Sequence, residues 1–291
     1  MRMALLGFGL IGGSIARAVH ERGSASPDDH VSAWTPSGNG PAAAARDGVI
    51  DLAATGPKEA IAGADLIVLA GPPPVCLAQL DDLAGAWRGA LAPGAVITDV
   101  ASTKTAIVLR ATALGLRFVG GHPLAGRETS GYAASSADLF VDRPWVIVPS
   151  ADDAALERVA ALATATGARP RRMTAAVHDE AVAAISHLPL VVAAALVEAV
   201  AGGRSAERED WPTAAELASS GWRDMTRLAR GDVAMGAGIV STNSPAIASR
   251  IRDLIGVLEA WLAELERPGG PDDREVAERL RAARDRLEAM A

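Results

Sequence analysis

Two segments of this chain carry residue types whose spacing points to chemistry. One is Val119-Gly-Gly-His-Pro-Leu-Ala-Gly126, a single histidine held among glycines and a proline. The other is Gly7-Phe-Gly-Leu-Ile-Gly12. Gly7, Gly9 and Gly12 have the spacing of a turn that lays a dinucleotide pyrophosphate against the free N–H groups of a helix N-terminus. A histidine facing a bound nicotinamide can take a hydroxyl proton while hydride leaves the same carbon. Read together, the segments predict a dehydrogenase with His122 as its base. The bland alternative for His122 is a surface turn. Leu10 and Ile11, inside the glycine turn, and Gly71 and Pro72, after a later strand, complete the candidate cofactor contacts.

The cofactor's identity is read at the end of the second strand, where an NAD-binding chain usually carries Asp or Glu for the ribose hydroxyls. Here the stretch is Ala33-Trp-Thr-Pro-Ser37. Thr35 takes the acidic position, and Thr35, Ser37 and Asn39 offer donors to a 2′-phosphate, although no arginine is adjacent. NADP, or use of both cofactors, is favoured over NAD alone; otherwise Thr35 merely ends the strand.

Four further positions can serve the reaction. Ser102, in Asp99-Val-Ala-Ser-Thr-Lys104, either points its hydroxyl into the cleft or caps the helix from Thr103. Lys104 reads as structural, pairing near a domain junction. His187, in Ile185-Ser-His-Leu-Pro189, lies on an apolar helix kinked by its proline, as a core residue or as a ligand to substrate. Arg223 and Arg227, spaced by four, offer planar donors to a carboxylate, or else pair with Asp224 and Glu216 on the surface. Glu128 closes an ion pair over the site or is simply exposed. His178 and Asp179 read as helix N-terminal residues, and His20 and His30 as surface residues.

The elements that must position these groups alternate through the first half. Strands are predicted at Met3–Leu6, Val31–Trp34, Leu66–Ala70, Ala95–Val100, Arg117–Val119 and Trp145–Val148, with helical patterns between them. Such alternation specifies a parallel sheet covered by helices, with ligands at the carboxyl edge. Asp152–Thr166 reads as a helix and Ala168–Met173 as a short extended piece. Beyond residue 173 long Ala/Leu/Val runs with helical spacing take over, including a broad stripe from Ile247 to Leu265. The expected organisation is an α/β Rossmann-type domain over residues 1–172 and an all-α domain over 173–291. Helices with such wide apolar faces pack across a dimer or within one chain.

Composition bounds the partners. The 291 residues suffice for two cores. The net charge of −7 argues against nonspecific nucleic-acid binding. Cys76 is the single cysteine, which excludes an intrachain disulfide or a multi-cysteine metal site, and no metal is expected. The first strand begins at Met3, leaving no room for a signal peptide, and no uninterrupted apolar run reaches about 18 residues. The expectation is a cytoplasmic protein with a small-molecule substrate and no membrane or nucleic-acid partner.

Gly7–Gly12, Asp99–Lys104, Val119–Gly126, Ser186–Pro189 and Gly221–Ala229 resemble, in order and spacing, the successive motifs of the prephenate and arogenate dehydrogenases. The resemblance covers nearly the whole chain. It implies NAD(P)-dependent oxidative decarboxylation of prephenate, or of its amino counterpart, in tyrosine biosynthesis, and a helical C-terminal domain that forms a dimer. By position, it makes His122 the catalytic histidine and Ser102 the serine that orients the substrate hydroxyl. Arg223 becomes the carboxylate anchor and His187 the first histidine of the Ser-His-x-Pro motif. Many prephenate-using members carry a histidine where this chain has Leu190, which keeps arogenate open as substrate. The chain ends after its last helix, leaving no room for the mutase or regulatory domains fused in some members. Two other readings compete: a β-hydroxyacid dehydrogenase or imine reductase, and a regulatory protein that binds dinucleotide without turnover. Ser186-His-Leu-Pro189 speaks against the first, and the set of His122, Ser102 and Arg223 against the second.

Overall fold

A computed structural model describes residues 1–22, 29–127, 129–203 and 206–289. Six strands form a parallel sheet: β1 (Arg2–Leu6), β2 (His30–Trp34), β3 (Leu52–Ala53), β4 (Leu66–Leu69), β5 (Val96–Asp99) and β6 (Phe118–Val119). Their order is β3-β2-β1-β4-β5-β6. Helices α1 (Leu10–Arg22), α2 (Asn39–Arg46), α3 (Pro57–Ile61), α4 (Pro73–Ala84), α5 (Thr105–Ala113) and α6 (Asp153–Ala165) cover its faces. The central strands are continuous apolar runs because both faces are buried. Met3, Leu5, Leu66, Val68 and Val96 enter one core with Ile15 and Leu162. Their neighbours Ala4, Leu6, Ile67, Leu69 and Ile97 enter the other with Leu80 and Ile107. The chain reverses its winding between β1 and β4, and this switch point opens the crevice where ligands of such sheets bind.

The structure differs from the sequence expectation at β3, which is too short to show alternation, and at the end of the sheet. The stretch containing His122 is not an irregular loop. It forms β7 (Gly121–Pro123), antiparallel to β8 (Pro144–Ile147), which runs parallel to β9 (Arg169–Arg172). The strand expected at Trp145–Val148 therefore belongs to this second, three-stranded sheet. Trp145 is fully buried there, 5.4 Å from the ring of Phe140.

Beyond the sheets lie α7 (Ala175–Val182), α8 (Leu188–Ala201), α9 (Trp211–Leu217), α10 (Ser220–Thr226), α11 (Val233–Thr242), α12 (Ser244–Leu265) and α13 (Asp273–Glu288). α7 and α8 join through a π-turn at Ala183–His187. Pro189 has no N–H and its ring collides with the carbonyl four residues back, so the expected kink is taken up as one wider turn. By packing, the chain divides after Ala246 into units Met1–Ala246 and Ile247–Ala291. The change of sequence character at residue 173 falls inside the first unit because α7 packs against α5. In the second unit the Arg279 guanidinium lies 4.0 Å over the Trp261 ring, joining α12 to α13. Leu258, Leu262 and Leu265, from the predicted apolar stripe, are exposed there.

Trp145→Ala empties the centre of the second sheet and lowers stability by about 3–5 kcal/mol. Trp145→Phe costs much less, because the indole Nε1 has no partner among the described residues. Urea denaturation of both variants checks this; equal losses would show that ring packing does not hold the sheet.

Candidate active site

The glycine turn connects β1 to α1. Gly7 has φ +106° and donates its N–H to the Trp34 carbonyl at 3.0 Å. A Cβ on Gly7 would lie 2.6 Å from the Ala70 carbonyl, and one on Gly12 would lie 2.4 Å from the Gly7 oxygen. Gly9 faces open space. The turn thus has the tight bend, the open backbone approach and the close helix contact that a pyrophosphate cradle needs. α1 begins at Leu10, so Leu10 and Ile11 sit at its positive end.

Beside the turn is a cavity of about 700 Å³ lined by Gly7, Gly9, Trp34, Gly71, Pro72 and Gln79, among others. Gln79 is buried, and its Oε1 lacks a partner among the described residues. An orphan acceptor in a cavity that is apolar apart from Asp82, beside a phosphate cradle, fits a nucleotide base. Thr35 Oγ1 accepts the Gly38 N–H at 3.1 Å and lies 3.4 Å from Ser37 Oγ, so these hydroxyls close the turn after β2. Cys76 is fully buried and its thiol is pushed up to about 12, chiefly by burial and then by Asp99. It is a free, buried core residue.

The catalytic side is organised around Asp99, at the end of β5. Its carboxylate contacts Lys104 Nζ and accepts the N–H of Ala101 and of Gly121, each at 3.1 Å. Asp99 and Lys104 are both fully buried. One anion therefore fixes the loop carrying Ser102 and the strand carrying His122. Ser102 does not cap α5. That helix is capped from a distance by Asp179 on α7, whose two oxygens accept the N–H groups of Lys104 and Thr105, each at 2.8 Å.

His122 Nδ1 lies 2.8 Å from His178 Nε2, and His178 Nδ1 lies 2.8 Å from Asp179 Oδ1. Burial opposes the charged form of Asp179, but donors from His178, Thr105 and Lys104 together hold it below the usual carboxylate value. His122 is held well below 6.5, first by burial, then by His178, Lys104 and His187. It is therefore neutral at physiological pH, the state a base requires. His187 is lowered to about 4, again mainly by burial. It is 1% exposed and lies 3.1 Å from Asn243 Nδ2, which also donates to the Asp179 carbonyl.

A second cavity, of about 450 Å³, lies between the segment following His122 and helices α8 and α11. Gly126, Arg127, Ser186, Leu190, Arg227 and Asp232 line it. The π-turn brings Ser186 and Leu190 to its wall while His187 enters the buried network. Two guanidiniums beside an apolar wall suit a small ring compound with carboxylates.

The chain matches "Prephenate dehydrogenase, nucleotide-binding domain" over residues 15–171 and "Prephenate dehydrogenase, dimerization domain" over residues 174–279. The chain belongs to the prephenate dehydrogenase family. It is 32% identical to the prephenate dehydrogenase of Bacillus subtilis over 95% of this chain and 71% of that protein. It is 30% identical to Synechocystis arogenate dehydrogenase, whose crystal structure superposes with a TM-score of 0.76 over 99% of this chain and 100% of the other. The prephenate dehydrogenase of A. aeolicus, solved with hydroxyphenyl propionate and NAD+, shares the fold at a TM-score of 0.85 and 24% identity, over 100% and 98% of the two chains. The expected fold class is thereby established: a Rossmann-like nucleotide-binding domain followed by the family's helical domain. The protein is an oxidoreductase of the prephenate dehydrogenase family with that family's nucleotide-binding domain.

Several of the residues singled out in the sequence come together. Gly7, Gly9, Gly71 and Pro72 line the first cavity. Ser102 and His122 share the Asp99 anchor. Arg223 does not line the second cavity; it is exposed on α10, and its helical neighbour Arg227 lines that cavity instead. Glu128 lies outside the described residues. The sequence reading missed the buried roles of His178, Asp179 and Asn243. The consecutive His178-Asp179 pair, eight residues before Ser-His-Leu-Pro, was the available signal for the first two.

Lys104→Met leaves the Asp99 carboxylate buried without its cation and lowers stability by about 3–5 kcal/mol. The double variant Asp99→Asn, Lys104→Met recovers part of this loss. Chemical denaturation checks the pair; strictly additive losses would show that the two side chains do not act together.

Proposed function

We propose that this protein is an NAD(P)-dependent prephenate dehydrogenase that converts prephenate to 4-hydroxyphenylpyruvate in tyrosine biosynthesis, as a cytoplasmic homodimer. The observation that carries the reading is a neutral His122, half-buried, whose Nδ1 is engaged by His178 and whose Nε2 has no protein partner among the described residues.

The substrate ring bears a hydroxyl at one end and a carboxylate at the other. His122 Nε2 accepts the hydroxyl proton as the C–H bond at that carbon breaks. A bound dinucleotide would supply the hydride acceptor. The carboxylate at the opposite ring carbon then leaves as carbon dioxide, its bonding electrons complete the aromatic ring, and the ring oxygen takes back the proton from His122. Ser102, on the loop pinned by Asp99, orients the hydroxyl. The guanidiniums of Arg127 and Arg227 hold carboxylate, in place of Arg223, the anchor that the resemblance implies. Gly7, Gly9 and Gly12, with Leu10 and Ile11, hold the pyrophosphate; Thr35 and Ser37 face the ribose. Neither Asp nor Glu occurs among residues 33–40, which supports acceptance of NADP as well as NAD.

The helix Ala175–Ala201 supports the dimer. Its most apolar 18-residue window has a mean hydropathy of 1.9, enough by length and composition to cross a membrane, and only 22% of that window is buried. Its inward side carries the ionisable groups His178, Asp179 and His187, which fits a helix packed on a water-soluble domain better than one in lipid. The uncovered side meets α11 in an apolar groove of about 390 Å³ that includes Leu190, Val191, Val233 and Val240. A second copy of the chain is the cover that the matched dimerization domain supplies.

His122→Asn lowers kcat by at least about a hundredfold with little change in KM. Near-normal turnover in this variant would remove His122 from the chemistry. Because His122 is neutral down to well below 6.5, the acid limb of kcat/KM lies below that pH; a limb at or above it would point to another base. Arg227→Gln raises KM for prephenate more than Arg223→Gln, and the reverse order would return the anchor to α10. These assays run with prephenate against arogenate and NAD against NADP; preferred turnover of arogenate would overturn the substrate assignment. Val191→Asp yields monomers by light scattering, and an unchanged mass would place the dimer contact elsewhere.

A further inference from the structure

The base assigned above works from one tautomer only. Its reactive lone pair must be on Nε2, so the imidazole proton must sit on Nδ1. An isolated neutral histidine divides between both forms. The question is what decides it here.

The answer runs through the protein from an end that can only accept. Asp179, ionised, has no proton to give. Its oxygens already accept the backbone N–H groups of Lys104 and Thr105 at the start of α5. The contact of 2.8 Å between Asp179 Oδ1 and His178 Nδ1 therefore places the His178 proton on Nδ1. An imidazole that carries its single proton on Nδ1 presents Nε2 as an acceptor. The 2.8 Å contact to His122 Nδ1 places the second proton on that atom, and the lone pair of His122 falls on Nε2. The two rings meet edge to face, with centroids 5.1 Å apart and planes at 78°, as an in-plane hydrogen bond between imidazoles allows. The remaining ionisable groups around the pair do not compete for these atoms. Lys104 is engaged by Asp99, and His187 by Asn243.

We propose that His178 and Asp179 are positioning residues that fix His122 in its Nδ1–H tautomer. Neither touches substrate; both act through His122. The inference rests on His122 being the base, and its test separates the two ideas.

The experiment is nitrogen-15 NMR of histidine-labelled protein, with turnover measured on the same samples. Comparison with His122→Asn identifies the His122 signals. In the unsubstituted protein these are expected to be those of the Nδ1–H form. His178→Phe keeps a ring but removes the acceptor. It is expected to shift His122 to the Nε2–H form and to lower kcat at least tenfold, with KM for substrate and cofactor within about threefold. His178→Gln restores an acceptor oxygen near the position of Nε2, and is expected to recover both the Nδ1–H signal and most of the lost kcat. An Nε2–H signal in the unsubstituted protein overturns the proposal without any His178 variant being folded. So does a His178→Phe protein that keeps the Nδ1–H signal or full turnover. If His122→Asn is inactive while His178→Phe is normal, the base survives and only the tautomer lock fails. If His122→Asn itself turns over normally, the base assignment falls first.

Discussion

A single buried carboxylate, Asp99, holds the reacting half of this molecule together. It ends β5 with both its oxygens committed: to Lys104, to the Ala101 N–H of the following loop and to the Gly121 N–H of β7. A charge in a fully enclosed site is tolerated only when it is neutralised and hydrogen-bonded throughout. Those same bonds are what locate the Ser102 loop and the His122 strand relative to each other. Because Asp99 lies at the carboxyl edge of the sheet, beside the switch point between β1 and β4, it brings this pair towards the glycine turn. Removal of the anion would release the Ser102 loop and the His122 strand at once.

Much of this was legible in the amino-acid order. The glycine turn announced itself because close backbone approach tolerates no side chain, and Gly7 and Gly12 meet backbone at distances no Cβ can occupy. The central strands showed as apolar runs, since burial on both faces removes alternation. His122 stood out through the glycines and proline around it. The rest depends on contacts that sequence spacing does not encode. β7 is three residues long and borrows its identity from pairing with β8, more than twenty positions later. His178 and Asp179 read as ordinary helix-start residues because their partners lie 56 and 75 positions away.

The two arginines show the same limit at finer grain. Arg223 and Arg227 lie four apart, near enough on a helix to share a face in a simple reading. In the structure α10 ends at Thr226, and a short 3-10 turn carries Arg227 onward. That change of pitch separates the two side chains, and only Arg227 reaches the cavity wall. The π-turn before Pro189 acts similarly, sending His187 inward to Asn243 while Ser186 and Leu190 line the cavity. Where helices change their winding, periodicity stops predicting which residues share a surface, and here both changes of winding occur beside the cavity.

The remote capping of α5 has a consequence for how the enzyme is made. Its first turn takes its carboxylate from a residue more than seventy positions downstream, so that cap exists only once α7 is in place. Without α7 the first amides of that helix are left to water. The ring of His178 reaches His122 in the same movement. The cap of α5 and the contact between His178 and His122 are thus made together, by the docking of one helix within Met1–Ala246.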